Sequence, residues 1–358
     1  MVQPLFKRIL IVNPFGIGDV LFTMPLVAAL RAADPSVIIG YIGNARTVPF
    51  LQNDPRFERV FSYERDEFVS IYERSPAAFL MKWRAFVREL RAQKFDMAYD
   101  LSLGSPLGAA LFLAGIPVRI GFDHKGRGRW LTRKIPLKGY EGRHVAEYCL
   151  DLLGTGGRTI GPFRTAISCS AGDIAFADRF MRENGLQQGK FILLFPGGGA
   201  SWGKAAGTKR WSTGNFAKLA DKIIEKGAGP IILMGDKSEF SLADEVRRGM
   251  VFPALNAAGL MSISQAAALA VCSRFVIAND GGPLHVAVAA GARTVSIFGP
   301  VDPGVYGPYP AEGHRIITKG LPCQPCYRNF RMTDCAHRSC LTRLTVDEVF
   351  AKIKDWLS

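Results

Sequence analysis

Short apolar runs alternate with longer segments of helical periodicity along most of the chain. In the first part, the apolar runs Arg8–Asn13 and Phe95–Asp100 have the length of buried strands, and helical patterns cover Val20–Ala33 and Pro76–Ala92. Strands separated by helices in this way are typical of βαβ units, in which helices cover both faces of a parallel sheet. This part of the chain therefore predicts one doubly wound α/β domain.

A second series of strands and helices follows the glycine-rich stretch Gly154–Pro162, which is the candidate boundary. Its predicted elements are Phe191–Phe195, Asn215–Lys226, Pro230–Met234, Ser238–Arg248, Ser264–Cys272, Phe275–Ala278, Pro283–Ala290 and Thr294–Phe298. We therefore predict two α/β domains, at residues 1–160 and 161–340. A final helix within 341–358 opens with a capping-box pattern at Thr345 and is expected to pack back on the first domain.

The longest uncharged run, Leu101–Val118, reaches the length of a membrane span. Prolines and glycines interrupt it, which favours a strand end, a loop and a short buried helix; a spanning helix is the alternative. The apolar stretch near the N-terminus is too short for a secretion signal. We expect a cytoplasmic protein, or one that is peripheral on the cytoplasmic face of the inner membrane.

Composition adds an anionic partner to this picture. The hydrophobic and charged fractions, 48% and 21%, are ordinary for a core-forming protein, but the formal net charge is +14. The segment Arg119–Arg143 sets eight cations against only Asp123 and Glu141. It is interpreted either as a solvated loop or as a docking surface for a phosphorylated, membrane-embedded acceptor, with Arg127 and Arg129 as candidate contacts. No motif that recognises DNA or RNA occurs, so nucleic acid is not an expected partner.

The turn Asn13–Asp19 joins the first predicted strand to a helix. Gly16 and Gly18 allow a ligand to approach the backbone closely, and a helix N-terminus favours an anion. The third glycine of the dinucleotide-binding fingerprint is absent, however, and Asp19 would repel a pyrophosphate. Asp19 is therefore either an ordinary N-cap or a general base that takes a proton from an acceptor hydroxyl.

Two later strand-to-helix turns carry candidate phosphate-binding groups. The glycine-rich loop Phe195–Trp202, together with Lys209, has the backbone N–H groups and the cation needed to hold a diphosphate; a flexible loop with solvated cations is the alternative. The turn Ala278–His285 places a helix N-terminus beside Asp280 and His285, whose plainer roles are turn formation and packing. No D-x-D sequence occurs, so the diphosphate charge is expected to be neutralised by Lys209 and helix N-termini.

Four of the seven cysteines cluster near the C-terminal end, at Cys323, Cys326, Cys335 and Cys340. Four thiolates at this spacing can bind zinc or iron tetrahedrally. The second pair is separated by four residues where zinc sites usually have two, and reduced structural cysteines or a disulfide are the alternatives. The odd total in so long a chain argues against a secreted disulfide scaffold.

In their order and spacing these motifs resemble the heptosyltransferase-type glycosyltransferases of family 9, which build the lipopolysaccharide core. The resemblance covers almost the whole chain. It rests on Gly16-Ile17-Gly18-Asp19 with Thr23 and Pro25, Pro196–Ser201 with Lys209-Arg210-Trp211, Asn279–His285, Phe298–Pro303 and the cysteine cluster. It implies a GT-B fold, in which two Rossmann-like domains face each other across a cleft. It also implies an inverting, metal-independent transfer of heptose from ADP-heptose to an anionic inner-core acceptor.

The resemblance also implies roles for individual residues. Asp19 is expected to be the catalytic base, Lys209 to bind the donor phosphates, and Met261 to pack near the adenine. The remaining expected donor contacts are Ser201, Asp280, Gly281, Gly282 and His285, and the expected acceptor contacts are Gly16, Gly18, Arg127 and Arg129. Relatives often carry threonine where this chain has Gly281, which leaves the sugar contacts open. The acidic ribose contact has two candidates, Asp236 and Glu239.

Other functions stay open at this stage. A relative of the autotransporter heptosyltransferases would use a protein acceptor and hold iron at the cysteines. A nucleotide-sugar epimerase would share the two-domain architecture, and a non-catalytic sugar-nucleotide binder would bind the ligand without turnover. No cofactor is expected to be required for transfer, and the cysteine cluster is the candidate site for a structural zinc or iron.

Overall fold

The computed structural model describes residues 6–154, 163–198 and 200–357, without the side chains of Ala200, Ser201 and Lys204. The chain divides into two units. The first contains Met1–Tyr140 and Val145–Phe163, and the second contains Glu141–His144 and Arg164–Ser358.

The first unit is built around one six-stranded sheet with the strand order β3-β2-β1-β4-β5-β6. All of its paired strands are parallel. Its elements are β1 (Arg8–Val12), α1 (Ile17–Leu21), α2 (Met24–Ala33), β2 (Ile38–Gly43), α3 (Val48–Gln52), β3 (Arg59–Ser62), α4 (Arg65–Arg74), α5 (Pro76–Ala92), β4 (Met97–Asp100), α6 (Ser105–Leu113), β5 (Val118–Asp123), β6 (Arg133–Pro136) and α7 (Val145–Asp151).

The second unit has a sheet of the same design, with the strand order β12-β11-β10-β7-β8-β9. Its elements are α8 (Ala171–Glu183), β7 (Ile192–Phe195), α9 (Thr213–Glu225), β8 (Ile231–Leu233), α10 (Phe240–Gly249), β9 (Leu255–Asn256), α11 (Ile263–Cys272), β10 (Phe275–Asn279), α12 (Gly282–Ala290), β11 (Thr294–Ile297), α13 (Pro303–Tyr306), β12 (Arg315–Ile317), β13 (Tyr327–Arg328), β14 (Arg331–Met332), α14 (Ser339–Thr342) and α15 (Val346–Ile353). Short 3-10 helices lie at Ala200–Lys209, Lys237–Glu239 and Lys354–Trp356.

The central strands of both sheets are almost completely buried, as parallel strands covered on both faces must be. The strand order reverses between β1 and β4 in the first unit and between β7 and β10 in the second. At such a switch point the connections leave in opposite directions and a crevice opens beyond the carboxyl ends of the strands. The predicted doubly wound α/β architecture is therefore confirmed, and each unit contains one such crevice position.

The predicted helix at 20–33 is in fact two helices. Helix α1 ends at Leu21, and α2 begins at Met24 with Pro25 in its first turn. Proline has no N–H with which to bond the carbonyl of Leu21, and its ring would crowd that carbonyl in a continuous helix. Helix α1 is therefore only five residues long.

The uncharged run 101–118 has the predicted strand end, loop and short helix. Asp100 ends β4, helix α6 has nine residues, and Val118 begins β5. Among the described residues, no helix is both long enough and apolar enough to cross a membrane.

The basic segment Arg119–Arg143 is not one continuous solvated loop. It contains most of β5 and all of the edge strand β6, in which Arg133 and Lys134 are exposed. The Arg119 side chain is anchored, because its Nε donates to the carbonyl of Trp130 over 2.6 Å. The exposed cations of this segment thus lie between the two strands, within β6 and after it: Lys125, Arg127, Arg129, Arg133, Lys134 and Lys138.

The capping box predicted at Thr345 is present. Its hydroxyl accepts a hydrogen bond from the Glu348 N–H, and the Glu348 carboxylate accepts one from the Thr345 N–H. Val349 and Ile353 are buried in the core of the second unit, where α15 contacts α9 and β12. This helix therefore packs on the core of its own unit. Its packing against the first domain stays a prediction.

Candidate active site

Asp19 lies just beyond the carboxyl end of β1, in the short helix α1. Its Oδ2 accepts a hydrogen bond at 3.1 Å from the N–H of Gly16, the N-terminal cap residue of this helix. The side-chain amide of Asn13 donates to the Asp19 carbonyl at 2.9 Å and fixes the turn from the inside. Asp19 itself is half-buried. The Asp19 carboxylate thus lies at the carboxyl edge of the sheet. It caps α1 and still has surface that a ligand can reach.

A second carboxyl group, which the sequence analysis did not single out, lies at the same edge. Asp100 ends β4, the strand that pairs with β1 across the switch point, and its register partner is Val12. Asp100 is only 4% exposed, and burial raises the pKa of its carboxyl to about 6. The sequence feature that could have identified Asp100 is an acidic residue at the end of an apolar strand.

Lys209 and Asp280 form the centre of the candidate donor site in the second unit. The Lys209 Nζ lies 2.6 Å from Oδ2 of Asp280, and both side chains are almost fully buried. The ammonium also lies 4.4 Å from the centre of the Trp202 ring, within reach of a cation–π interaction. Asp280 follows β10 directly, so the ion pair stands at the carboxyl edge beside the N-terminus of α12.

Asn279 and Glu239 hold the glycine-rich loop against this edge. The Asn279 amide donates to the carbonyls of Pro196 and Gly197, at 2.8 and 3.1 Å. The Gly198 N–H donates to Oε1 of Glu239 at 2.7 Å. A Cβ on Gly197 would lie 2.1 Å from that same oxygen, so any larger residue there would have to displace the Glu239 carboxylate. The loop is therefore fixed by buried polar side chains.

The two candidate ribose contacts have partners within the chain. Asp236 caps the 3-10 helix at Lys237–Glu239 by accepting from the Ser238 N–H at 2.7 Å. The second oxygen of Glu239 accepts from the Asp236 N–H at 3.2 Å. Glu239 thus connects the start of this helix to the glycine-rich loop, which the sequence analysis did not foresee.

His285 is buried in the first turn of α12. Burial, with smaller contributions from the charges of His144 and Lys209, lowers the pKa of its imidazole to about 3. His144, which the sequence analysis did not single out, stacks on Tyr309, and its Nε2 donates to the Gly307 carbonyl over 3.0 Å. A neutral imidazole carries one N–H donor and one acceptor nitrogen.

The other predicted donor residues lie at or near the same edge. Gly281 is the N-terminal cap of α12 and Gly282 its first residue. Met261 is partly buried against the second unit's core, in the turn after β9. Ser201 belongs to the 3-10 helix at Ala200–Lys209, and its side chain lies outside the described residues.

The predicted acceptor contacts are found in the first unit with Asp19. Gly16 and Gly18 flank Ile17 at the start of α1. Arg127 and Arg129 are exposed in the connection between β5 and β6, where the guanidinium of Arg129 lies 4.5 Å from the centre of the Trp130 ring. The Arg127 carbonyl accepts from Ser105 at the start of α6, which places Arg127 towards the carboxyl edge of the sheet.

The four C-terminal cysteines are close enough to affect one another's ionisation. Burial, followed by the charges of Cys326, Cys335 and Cys323, raises the pKa of the Cys340 thiol. Cys326 also donates to the carbonyl of Cys323 at 2.9 Å. Among the residues that the structure describes, however, no three His, Cys, Asp or Glu side chains form a group that could hold a metal ion. A metal at these four cysteines therefore stays a prediction.

Comparisons with known proteins agree with this geometry. The family model described as glycosyltransferase family 9 (heptosyltransferase) matches residues 83–337. The chain is 25% identical to lipopolysaccharide heptosyltransferase 2 of Escherichia coli K12 over 327 residues, which cover 87% of this chain and 88% of that protein.

Two solved structures have the same fold. The ADP-heptose lipopolysaccharide heptosyltransferase II of E. coli matches with a TM-score of 0.76 and 22% identity, over 98% of each chain. A family 9 glycosyl transferase from Veillonella parvula matches with a TM-score of 0.78 and 21% identity, over 98% of this chain and 97% of that one.

The two doubly wound sheets, together with these likenesses, define a glycosyltransferase of the GT-B class. The chain belongs to glycosyltransferase family 9, so the resemblance stated from the motifs is confirmed.

Proposed function

We propose that this enzyme transfers a heptose from ADP-heptose to an anionic acceptor of the lipopolysaccharide inner core, with inversion at the anomeric carbon. The observation that carries the proposal is the buried Lys209–Asp280 pair, which stands at the N-terminus of α12 and the carboxyl edge of the second sheet. A buried ammonium beside free helix N–H groups suits a diphosphate. The names of the relatives support ADP-heptose as the donor and lipopolysaccharide as the acceptor.

In the proposed reaction the donor's diphosphate binds at this edge of the second unit. Lys209 neutralises part of its charge, and the N-terminus of α12 supplies backbone N–H groups. His285, kept neutral by its surroundings, donates one N–H to a phosphate oxygen. These groups stabilise the ADP that leaves, so the chain itself provides the neutralisation and the transfer step is proposed to need no metal.

Asp19 is the proposed base on the acceptor side. The acceptor hydroxyl oxygen forms a bond to the anomeric carbon while the bond from that carbon to the diphosphate oxygen breaks. The proton of the hydroxyl passes to the Asp19 carboxylate, and the electron pair of the broken bond leaves with ADP. Attack from the face opposite the leaving group inverts the configuration. The exposed Arg127 and Arg129 are proposed to attract the anionic acceptor, whose lipid anchor would bring the enzyme to a membrane surface as a peripheral protein.

Calorimetry and thermal shift with ADP, UDP, GDP and ADP-heptose test the donor. We expect selective binding of ADP and ADP-heptose. Selective binding of UDP or GDP would replace the donor, and the absence of nucleotide binding would refute the proposal. With ADP-heptose and no acceptor, we expect no isomerised nucleotide sugar; its formation would favour an epimerase.

Core oligosaccharide and protein acceptors, offered side by side, test the second substrate. We expect transfer to the oligosaccharide. Exclusive transfer to protein would favour the autotransporter type of enzyme. Metal analysis of the purified protein, by mass spectrometry, tests separately whether zinc or iron is bound at Cys323, Cys326, Cys335 and Cys340.

A further inference from the structure

The hairpin formed by α4 and α5 projects beyond the carboxyl edge of the first sheet. Tyr63, which follows β3 directly, stacks on Phe68 of α4 and lies 5.9 Å from the ring of Phe86 in α5. Phe86 therefore marks the level at which the strand ends. The ten residues of α5 before it add about 15 Å of helix on the far side of that level. Since β1, β2 and β3 are parallel, Asp19 lies at this same edge.

The hairpin is a packed structure and not an open loop. Ser75 ends α4 and caps α5 by accepting from the Ala78 N–H, so the two helices share one turn. Between them, Phe68, Phe79 and Trp83 form a cluster with ring centres 5.9 to 6.2 Å apart. The inner faces of the helices are thus already occupied by aromatic side chains.

Further apolar side chains lie on the outside of the hairpin. Met81 is 68% exposed, Tyr72 57%, and Leu80 and Val69 44% each. Val69 and Tyr72 belong to α4 and Leu80 and Met81 to α5, all within six residues of Ser75 in the turn. Single exposed apolar residues need no explanation, but four large ones on one projecting element indicate a contact with another apolar phase.

Cations flank this apolar tip. Helix α5 carries four cations against one acid, and α4 carries two cations against three acids, so the hairpin has an excess of two cations. The charged residues are Lys82, Arg84, Arg88, Arg91 and Glu89 in α5, and Arg65, Arg74, Asp66, Glu67 and Glu73 in α4. Arg84 and Arg88 are exposed one helical turn apart, and among the described residues neither has an ion pair. A projecting apolar tip with unneutralised cations beside it is complementary to a bilayer surface, where acyl chains lie beneath anionic headgroups.

We propose that the α4–α5 hairpin docks this enzyme on an anionic lipid surface. Tyr72, Leu80 and Met81 enter the interface, and Arg84 and Arg88 contact headgroup phosphates. The inference rests on the proposed function, in which the acceptor carries a lipid anchor. It deepens that function by naming the surface that brings the Asp19 edge of the first unit to the membrane.

Co-sedimentation of the full chain with vesicles tests the proposal. Pure phosphatidylcholine is compared with phosphatidylcholine mixed with phosphatidylglycerol, at low and high salt. We expect salt-sensitive binding to the anionic vesicles. Leu80→Ser/Met81→Ser should lower the partition coefficient about tenfold or more, because two apolar side chains no longer enter the interface. Arg84→Glu/Arg88→Glu should remove most of the salt-sensitive part.

The matched control is Ile174→Ser/Val251→Ser, which removes two exposed apolar side chains from the second unit, 52% and 85% exposed. It should bind vesicles like the wild type. Circular dichroism and thermal unfolding verify that each variant is folded. The proposal is overturned if the wild type does not bind anionic vesicles, or if Leu80→Ser/Met81→Ser binds them equally well.

Two further measurements separate this inference from its rivals. Analytical ultracentrifugation tests a second copy of the chain as the occupant: self-association that Leu80→Ser/Met81→Ser abolishes, with vesicle binding unchanged, would overturn the proposal. Transfer to core oligosaccharide freed of its lipid should be equal in wild type and variant. If that transfer is absent while vesicle binding depends on the hairpin, the proposed reaction fails and the docking surface stands.

Discussion

The two units share one strand order but differ in how the carboxyl edge of the sheet is built. In the second unit, Lys209 and Asp280 are buried as an ion pair, and Glu239 holds the adjacent glycine-rich loop. In the first unit, Asp19 is half-buried in a short helix, and cations such as Arg127 are exposed. The edge of the second sheet is thus a network of buried polar side chains, whereas Asp19 and Arg127 at the edge of the first sheet are partly or fully exposed. We call the first sheet's edge the open edge.

This difference fits the two proposed ligands. A nucleotide diphosphate is small and highly charged, so its site gains from charges that are fixed before it binds and need no reorganisation during the reaction. An oligosaccharide with a lipid anchor is large, and an open surface with exposed cations suits it better. Substitutions at the two edges should therefore fail in different ways.

Asp19→Asn should have the largest effect on turnover. The amide oxygen can still accept the capping hydrogen bond from Gly16, but the side chain can no longer take a proton. We expect kcat to fall about a hundredfold or more, with affinity for ADP-heptose unchanged, as measured by steady-state kinetics and calorimetry. Asp66→Asn, on an exposed carboxylate of the same unit, is the control. Near-wild-type turnover of folded Asp19→Asn would refute the role of Asp19 as base.

Lys209→Met should weaken the binding of ADP-heptose, which Asp19→Asn is expected to leave unchanged. It also leaves Asp280 buried without its partner, which should cost about 3 kcal/mol of unfolding free energy. The double variant Lys209→Met/Asp280→Asn should recover most of that stability, as chemical denaturation would show, and still bind ADP-heptose weakly. Restored donor affinity in the double variant would mean that Lys209 serves the fold and not the ligand.

Gly197→Ala tests whether the glycine-rich loop is fixed in advance. The added Cβ would meet the Glu239 carboxylate at 2.1 Å and displace it from the Gly198 N–H. We expect a loss of about 1–3 kcal/mol in stability and weaker ADP-heptose binding by calorimetry. The control is Gly214→Ala in the first turn of α9, where nothing lies within 4 Å of the new Cβ. Equal donor affinity in both variants would show that the loop adapts on binding.

Local patterns in the sequence predict the elements whose signals lie within a few residues. Helix α5 has its predicted bounds, Pro76–Ala92, because Ser75 caps it and Pro76 suits its first position. The capping box at Thr345 is equally local. Helix α4 was missed, although Phe68, Ile71 and Tyr72 recur at the i, i+3, i+4 spacing of one helix face.

The candidate site shows the same limit more clearly. The order of strands and turns was sufficient to place Asp19, Lys209 and Asp280 after strand ends. That Lys209 pairs with Asp280, or that Glu239 holds Gly198, depends on tertiary contacts between distant segments. No local pattern encodes such pairs. The raised pKa of Asp100 is of this kind too, since burial causes it and the sequence shows only an acid at a strand end.

Asp100 gives the smallest and most specific prediction, because the chain contains the same local motif twice. Asp100 accepts a hydrogen bond from the Ser102 N–H at 2.9 Å, and Asp34 accepts one from the Ser36 N–H at 2.8 Å. At Asp34, near the surface, the hydrogen bonds from Ser36 lower the carboxyl pKa. At Asp100, burial outweighs the same bonds and raises the pKa from 3.8 to about 6.

The two sites should therefore respond to pH with opposite signs. Between these pKa values the folded protein holds a proton on Asp100 that the unfolded chain has released, so this group contributes less to stability as pH rises. The contribution lost by about pH 7 is about 3 kcal/mol.

Asp100→Asn should thus gain stability relative to the wild type as pH rises through this window, when denaturant unfolding is compared across pH. Asp34→Asn should instead be less stable than the wild type at neutral pH, because the lowered pKa of Asp34 stabilises the folded state only while Asp34 is ionised. If both variants follow the wild type in parallel, burial at the open edge of the first unit does not control the ionisation of Asp100.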